Sequence, residues 1–166
     1  MESEKRTKIL LNIAVVFISV IGLMLLLYMV MVLSFENGDE SISKTRSIAS
    51  IIAQRVYSGT PTEGEINAVI FMLRYFAHIV LFFVVGLVTT FVSMVIFRNY
   101  FRILGVLASG GACYVLAYYT EYYKQYVEGR HFQMTDVKLN WLGSIAGIAC
   151  MVISYLMNKL LMKLSS

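Results

Sequence analysis

Four long apolar segments constrain this chain more than any other feature, because each is long enough to cross a lipid bilayer. Crossing takes about 20 residues. Lipid offers no partners to unpaired backbone groups, and no proline interrupts any of the four segments, so each is predicted to be an α-helix. The segments run from about residues 9–33, 69–97, 103–120 and 139–156.

The composition places the chain in the same class. Hydrophobic residues make up 58% of the chain and charged residues 14%, against about 45–50% and about 25% in soluble domains. Residues 1–166 are therefore predicted to form one domain, an all-α integral membrane protein built as a bundle of four transmembrane helices. The lipid bilayer is an expected partner. Nucleic acid is not, because the basic residues are scattered singly and form no stripe.

The basic residues that flank the spans predict an orientation. They are densest in the short segments that lie inside if the N-terminus is cytoplasmic. The outer connectors are then 34–68 and 121–138, where basic residues are spread among most of the acids. By the positive-inside rule, we predict that both termini are cytoplasmic, N-in and C-in.

The first outer connector contains a helical pattern of its own. Ile48, Ile51, Ile52 and Val56 recur at helical spacing. The pattern predicts a short amphipathic helix that lies at the membrane interface or is tucked against the bundle.

Small residues predict where the spans pack. Gly143 and Gly147 form a GxxxG pair in the fourth span, and the third span contains the small-residue run "GVLASGGACY". Small residues allow helices in lipid to approach closely. We therefore predict that the third and fourth spans form a tight antiparallel hairpin. Cys113 and Cys150 lack metal-ligand spacing and are predicted to be small buried packing residues.

Polar residues from different segments are predicted to meet at the outer face. At about 1.5 Å of helix rise per residue, three of them lie about 28–30 Å from the basic residues at the inner ends of their spans: His78, Glu121 and Asn140. Ionisable residues at membrane depth are candidates for a functional site. The candidate ligand-binding residues are Arg74, His78, Glu121, Gln125, Arg130, Asp136 and Asn140.

Two stretches resemble the VanZ-like family of small bacterial membrane proteins. In "TEYYKQYVEGRHFQMTDVKLNWLGSIAG" and "RYFAHIVLFFVVG" the family's motif positions are matched by Glu121, Gly129, Arg130, Asp136, Asn140, Gly143 and Gly147, and by Arg74, Ala77, His78 and Gly86. The chain departs from the family at Lys124, where a glutamine is usual and here follows at Gln125, and at Glu128, where a proline is usual. The resemblance implies a multi-pass protein of the bacterial cytoplasmic membrane with a role in the cell envelope, because the family is named for a protein linked to teicoplanin resistance.

Two function classes follow from these residues. A pocket at the outer face would use Arg74 and Arg130 to bind an anionic group, since guanidinium pairs with phosphate or carboxylate. Its ligand would be a lipid-linked cell-wall precursor or a lipoglycopeptide. The alternative is a membrane-embedded enzyme that uses acid–base chemistry on a lipid-linked substrate, with catalytic candidates His78, Glu121 and Asp136.

Other possibilities have less support in the sequence. A metal site of His78, His131, Glu121 and Asp136 is not required by their spacing, so neither a metal nor another cofactor is expected. A small transporter is a weaker alternative, because no broken helix marks a substrate path. A homo-oligomer is compatible with the sequence.

Overall fold

The computed structural model describes residues 2–36, 38–57, 59–97 and 102–165. Within these ranges it has helices and no strand: α1 Glu2–Ser34, α2 Gly38–Val56, α3 Glu63–Ile96, α4 Arg102–Lys124 and α5 Met134–Leu164. The helices α1, α3, α4 and α5 are long and apolar enough to cross a membrane. The predicted all-α class with four spans and an extra helix in the first connector is confirmed. Residues 98–101, predicted to join the second and third spans, lie outside the described ranges.

The spanning helices extend past their apolar segments into polar sequence. α3 begins at Glu63 rather than near residue 69, because Thr62 and Glu65 form a capping box. The backbone N–H of Thr62 donates to Glu65 Oε2 at 2.7 Å, and the Glu65 N–H donates to Thr62 Oγ1 at 3.4 Å. These bonds satisfy N–H groups that a helix start otherwise leaves unpaired.

α3 is the central helix, and its closest partner is α5. A Cβ atom added at Gly143 would lie 2.4 Å from the backbone oxygen of Ile79, and one at Gly147 would lie 2.1 Å from that of Phe83. The GxxxG pair therefore brings α5 against α3. The prediction that the glycine pair packs the fourth span against the third is wrong, because both glycines face α3, although α4 and α5 are also in contact. The glycine pair signals close approach without identifying the partner helix.

α2 is tucked against α3 through small residues. Ala49 and Ala53 are fully buried and pack with Val69 and Ile70 of α3. Three of the four residues that suggested an amphipathic helix are exposed, Ile48, Ile51 and Val56. The contact face therefore consists of the two alanines with Ile52 beside them. The three exposed β-branched residues face outward, as expected of a helix that borders lipid.

An apolar core lies between α1, α3 and α4. Its buried members are Val30, Phe82, Val85, Cys113 and Ala117. Cys150 on α5 is exposed, so its predicted burial is wrong. Phe82 and Ala117 each stand one helical turn from the polar residues described next, so the core supports these residues from one side.

Candidate functional site

His78 of α3 faces two polar residues of α5. Its Nδ1 lies 2.8 Å from Asn140 Oδ1, and its Nε2 lies 3.3 Å from Asp136 Oδ2. Asp136 and Asn140 are four residues apart and so share one face of α5. Both are buried, with 8% and 1% of their surface exposed. The two residues therefore flank the imidazole ring at its two nitrogen atoms.

α4 adds a buried ion pair to the same place. Lys124 Nζ donates to Glu121 Oε1, and it lies 3.9 Å from Asp136 Oδ2. Glu121 is 0% exposed and Lys124 is 4% exposed. Three helices thus meet in what we term the polar cluster: His78, Glu121, Lys124, Asp136 and Asn140.

One atom of this cluster is left without a partner. Glu121 Oε2 is buried and accepts no hydrogen bond from any described residue. Buried polar atoms are bonded in the large majority of cases, and a lone carboxylate oxygen is costly in a medium of low dielectric constant. The position of Oε2 thus requires an explanation from the chemistry of the site.

A cavity of about 430 Å³ adjoins the polar cluster and is lined by residues of all five helices and by Arg130 of the 125–133 connector. This volume falls within the range of small-molecule sites. Its ionisable lining consists of Glu36, Lys44, Arg74, His78, Lys124 and Arg130. The remaining wall is largely apolar and includes Leu33, Ile48, Phe76, Leu81 and Phe82. The cavity is therefore amphiphilic, with an excess of cations.

Arg130 is held in the cavity wall by the backbone. Its Nε donates to the carbonyl oxygen of Glu36 at 2.9 Å, which ties the 125–133 connector to the end of α1. Gly129 directly before it has a φ of 72°, a conformation that L side chains rarely adopt. Burial lowers the pKa of the Arg130 guanidinium, and the positive charge of Arg74 lowers it further. Arginine nonetheless stays protonated in proteins, so two cations face the same space.

The candidate residues from the sequence divide into two groups. His78, Glu121, Asp136 and Asn140 meet in the polar cluster, and Arg74 and Arg130 lie in the cavity wall with His78 and Asn140. Gln125 and His131 are exposed and do not line the cavity.

Lys124 was not among the predicted site residues. In the sequence it is a departure from the family pattern, yet it is buried and contacts both acids. The signal that could have identified it is its position three residues after Glu121, which puts opposite charges on one helical face.

Comparison with known proteins gives one match. A family model described as VanZ/LLP1 matches residues 17–156, a range that includes the whole polar cluster and both cavity arginines. No curated protein and no solved structure matches the chain.

Proposed function

The chain belongs to the VanZ/LLP1 family, and we propose that it is a cell-envelope protein of the bacterial cytoplasmic membrane whose cavity binds the anionic group of a lipid-linked ligand. In this proposal the cavity opens toward the outer face, with both termini in the cytoplasm. Its physiological effect is reduced susceptibility to teicoplanin and related lipoglycopeptides, as the family resemblance implies.

The observation that carries the proposal is the pair of arginines in the cavity wall. Within the described parts of the chain, Arg74 forms no ion pair with a carboxylate. Arg130 uses its Nε on a backbone carbonyl, which leaves its terminal nitrogens to other partners. Guanidinium groups bind phosphate and carboxylate in a bidentate manner, and the bonds are strong because both groups are charged.

The apolar part of the wall supports a lipid-linked ligand rather than a free anion. Leu33 of α1, Ile48 of α2 and Phe76 of α3 line the cavity, and Ile48 and Phe76 are also more than half exposed at the surface of the bundle. A ligand with an apolar chain would lie along these residues while its anionic group meets the arginines. Apolar walls with a few placed polar groups are typical of ligand sites.

Binding agrees better with the geometry than acid–base catalysis does. Both ring nitrogens of His78 face side-chain oxygens, those of Asp136 and Asn140. A general base needs a nitrogen within hydrogen-bond reach of the proton that it removes. With both nitrogens engaged, the imidazole offers none to a ligand in the cavity.

The test replaces Arg74, since Arg130 also holds the connector in place. Arg74→Gln keeps a polar side chain but removes the charge, and Arg55→Gln removes an exposed charge from α2 outside the cavity. With expression matched, cells producing Arg74→Gln should become as sensitive to teicoplanin as cells without the protein, whereas Arg55→Gln should protect like wild type.

A direct binding measurement complements the susceptibility assay. Purified protein should bind a fluorescent phosphatidic acid, and Arg74→Gln should weaken that binding by about tenfold, the effect of losing one charged hydrogen bond of about 1.5 kcal/mol. Arg130→Lys and Arg130→Ala should both impair protection. Wild-type protection and wild-type lipid affinity in Arg74→Gln would refute the cavity as the binding site.

A further inference from the structure

We propose that His78, Glu121 and Asp136 form a binding site for a divalent transition-metal ion such as Zn²⁺, and that the Lys124 ammonium competes with the metal for the two carboxylates. This goes beyond the proposed binding of an anion and does not depend on it. The site needs only the three side chains and the helices that hold them.

The spacing of the ligand atoms fits a metal centre. One ligand atom from each of the three residues lies within 4.8 Å of the others. His78 Nε2 and Asp136 Oδ2 are 3.3 Å apart. Two ligands at about 2.0 Å from a tetrahedral zinc ion are separated by about 3.3 Å. The His78–Asp136 pair therefore has a separation compatible with two ligands of one metal ion.

The orientation of the imidazole ring points to a cation at Nε2. Asn140 Oδ1 only accepts hydrogen bonds, so Nδ1 of His78, 2.8 Å away, carries the proton. Nε2 faces the carboxylate oxygen of Asp136 at 3.3 Å. Either a proton or a metal ion between these two atoms satisfies both of them, so a metal ion can take the place of the proton at this contact. Metal-binding histidines donate their other ring N–H to an oxygen in this way, which fixes the tautomer.

The third ligand comes from the Glu121 carboxylate, which has one oxygen without a partner. Glu121 is 0% exposed, and its Oε2 accepts no bond from the described residues. A carboxylate oxygen is a ligand for zinc, and the combination of one imidazole with two carboxylates suits first-row transition metals better than Mg²⁺. Binding of a metal ion would satisfy Oε2. It would also offset the negative charge of the two carboxylates, Glu121 and Asp136, which one ammonium does not balance.

In this proposal Lys124 regulates the affinity of the site for the metal ion. Its ammonium holds Glu121 Oε1 and lies 3.9 Å from Asp136 Oδ2, so it supplies positive charge where the metal would bind. Its side chain also lines the cavity, which gives the ammonium a space to move into when metal binds. Removal of the ammonium should therefore strengthen metal binding.

The experiment titrates Zn²⁺ into purified, chelator-treated protein in detergent micelles, against a chromogenic chelator. The wild type should bind one Zn²⁺ per chain, and an excess of Mg²⁺ should not displace it. His78→Gln should abolish this binding. The chain has two histidines, so His131→Gln, at an exposed position, is the matched control and should bind like wild type.

The wild-type titration, together with a second variant, keeps the proposal testable if His78→Gln fails to fold. Lys124→Met should bind Zn²⁺ more tightly by about tenfold or more, the size of effect typical of groups next to metal ligands. Its Co²⁺ form should show the visible absorption of a tetrahedral centre. Absence of stoichiometric binding in both wild type and Lys124→Met would overturn the proposal, as would equal binding by His78→Gln.

Discussion

Replacement of Gly143 by alanine tests whether the contact between α3 and α5 holds the polar cluster together. The added Cβ would lie 2.4 Å from the Ile79 backbone oxygen, whereas ordinary contact begins at 3.4 Å. The obstructing atoms belong to the backbone of Ile79, which cannot rotate away, so α5 must move from α3 by about 1 Å. Ile79 follows His78, and Asn140 stands three residues before Gly143, so both ends of the His78–Asn140 bond move apart.

The expected magnitude follows from that shift. The His78–Asn140 distance would grow from 2.8 Å to about 3.8 Å, which is too long for a hydrogen bond. Overpacking costs about 1–3 kcal/mol, and the lost bond costs about 0.5–1.5 kcal/mol. Alanine recovers up to about 1 kcal/mol through its helix propensity. The net loss of unfolding free energy should be about 1–3 kcal/mol for Gly143→Ala.

The assay is reversible unfolding in mixed micelles, followed by circular dichroism. Gly111→Ala is the control, because a Cβ at Gly111 of α4 meets no atom within 4 Å, and it should be neutral or slightly stabilising. A double-variant cycle links packing to the cluster. Asn140→Ala should lower the free energy of unfolding less in the Gly143→Ala background than in wild type. The difference between the two losses should be about 0.5–1.5 kcal/mol. If the two changes are additive, or if Gly143→Ala unfolds like Gly111→Ala, the reasoning is refuted.

Three further predictions concern the ion pair, α2 and the orientation. Glu121→Gln and Lys124→Met, measured in chelator, should each destabilise the protein by about 3–5 kcal/mol, because each leaves a buried partner group unmatched, and the double variant should cost less than their sum. In the same unfolding assay, Ala53→Leu should cost about 1–3 kcal/mol by forcing α2 from α3, while Ile51→Leu at an exposed position should be neutral. In a cysteine-free background, Gln125→Cys should react with an impermeant thiol reagent on intact cells. Reaction only after permeabilisation would show that the orientation is opposite to the predicted one.

The fold was largely predictable because the bilayer fixes helix length, and apolar runs report that length directly. The ends of the helices were less predictable. α4 continues to Lys124 rather than ending near Thr120, since Glu121 and Lys124 neutralise each other and allow a polar turn to stay buried. Likewise α5 begins at Met134, so Asp136 belongs to its first turn rather than to the connector.

The sequence predicted which residues form the polar site better than it predicted which of them contact each other. Helix rise gives depth, so counting residues indicated which polar groups share a level. It does not give rotation about the helix axis, which decides whether side chains face each other. That rotation is fixed by glycine contacts such as Gly86 against Ser144 and Gly143 against Ile79. Which helix packs against a glycine face is decided by the tertiary structure and cannot be read from the local sequence. Gln125 and Lys124 are adjacent in sequence, yet one is exposed and the other buried.

Lys124 joins the two proposed sites. The resemblance to the VanZ-like family predicts a neutral glutamine near this position, and the ammonium found here changes the charge of the cluster by one unit. The same side chain lines the cavity with Arg74 and Arg130. A metal ion at His78, Glu121 and Asp136 would release the ammonium toward the cavity and so add to its positive charge. Because coupling between two sites is reciprocal, an anion in the cavity would in turn favour the released ammonium and tighten the metal site.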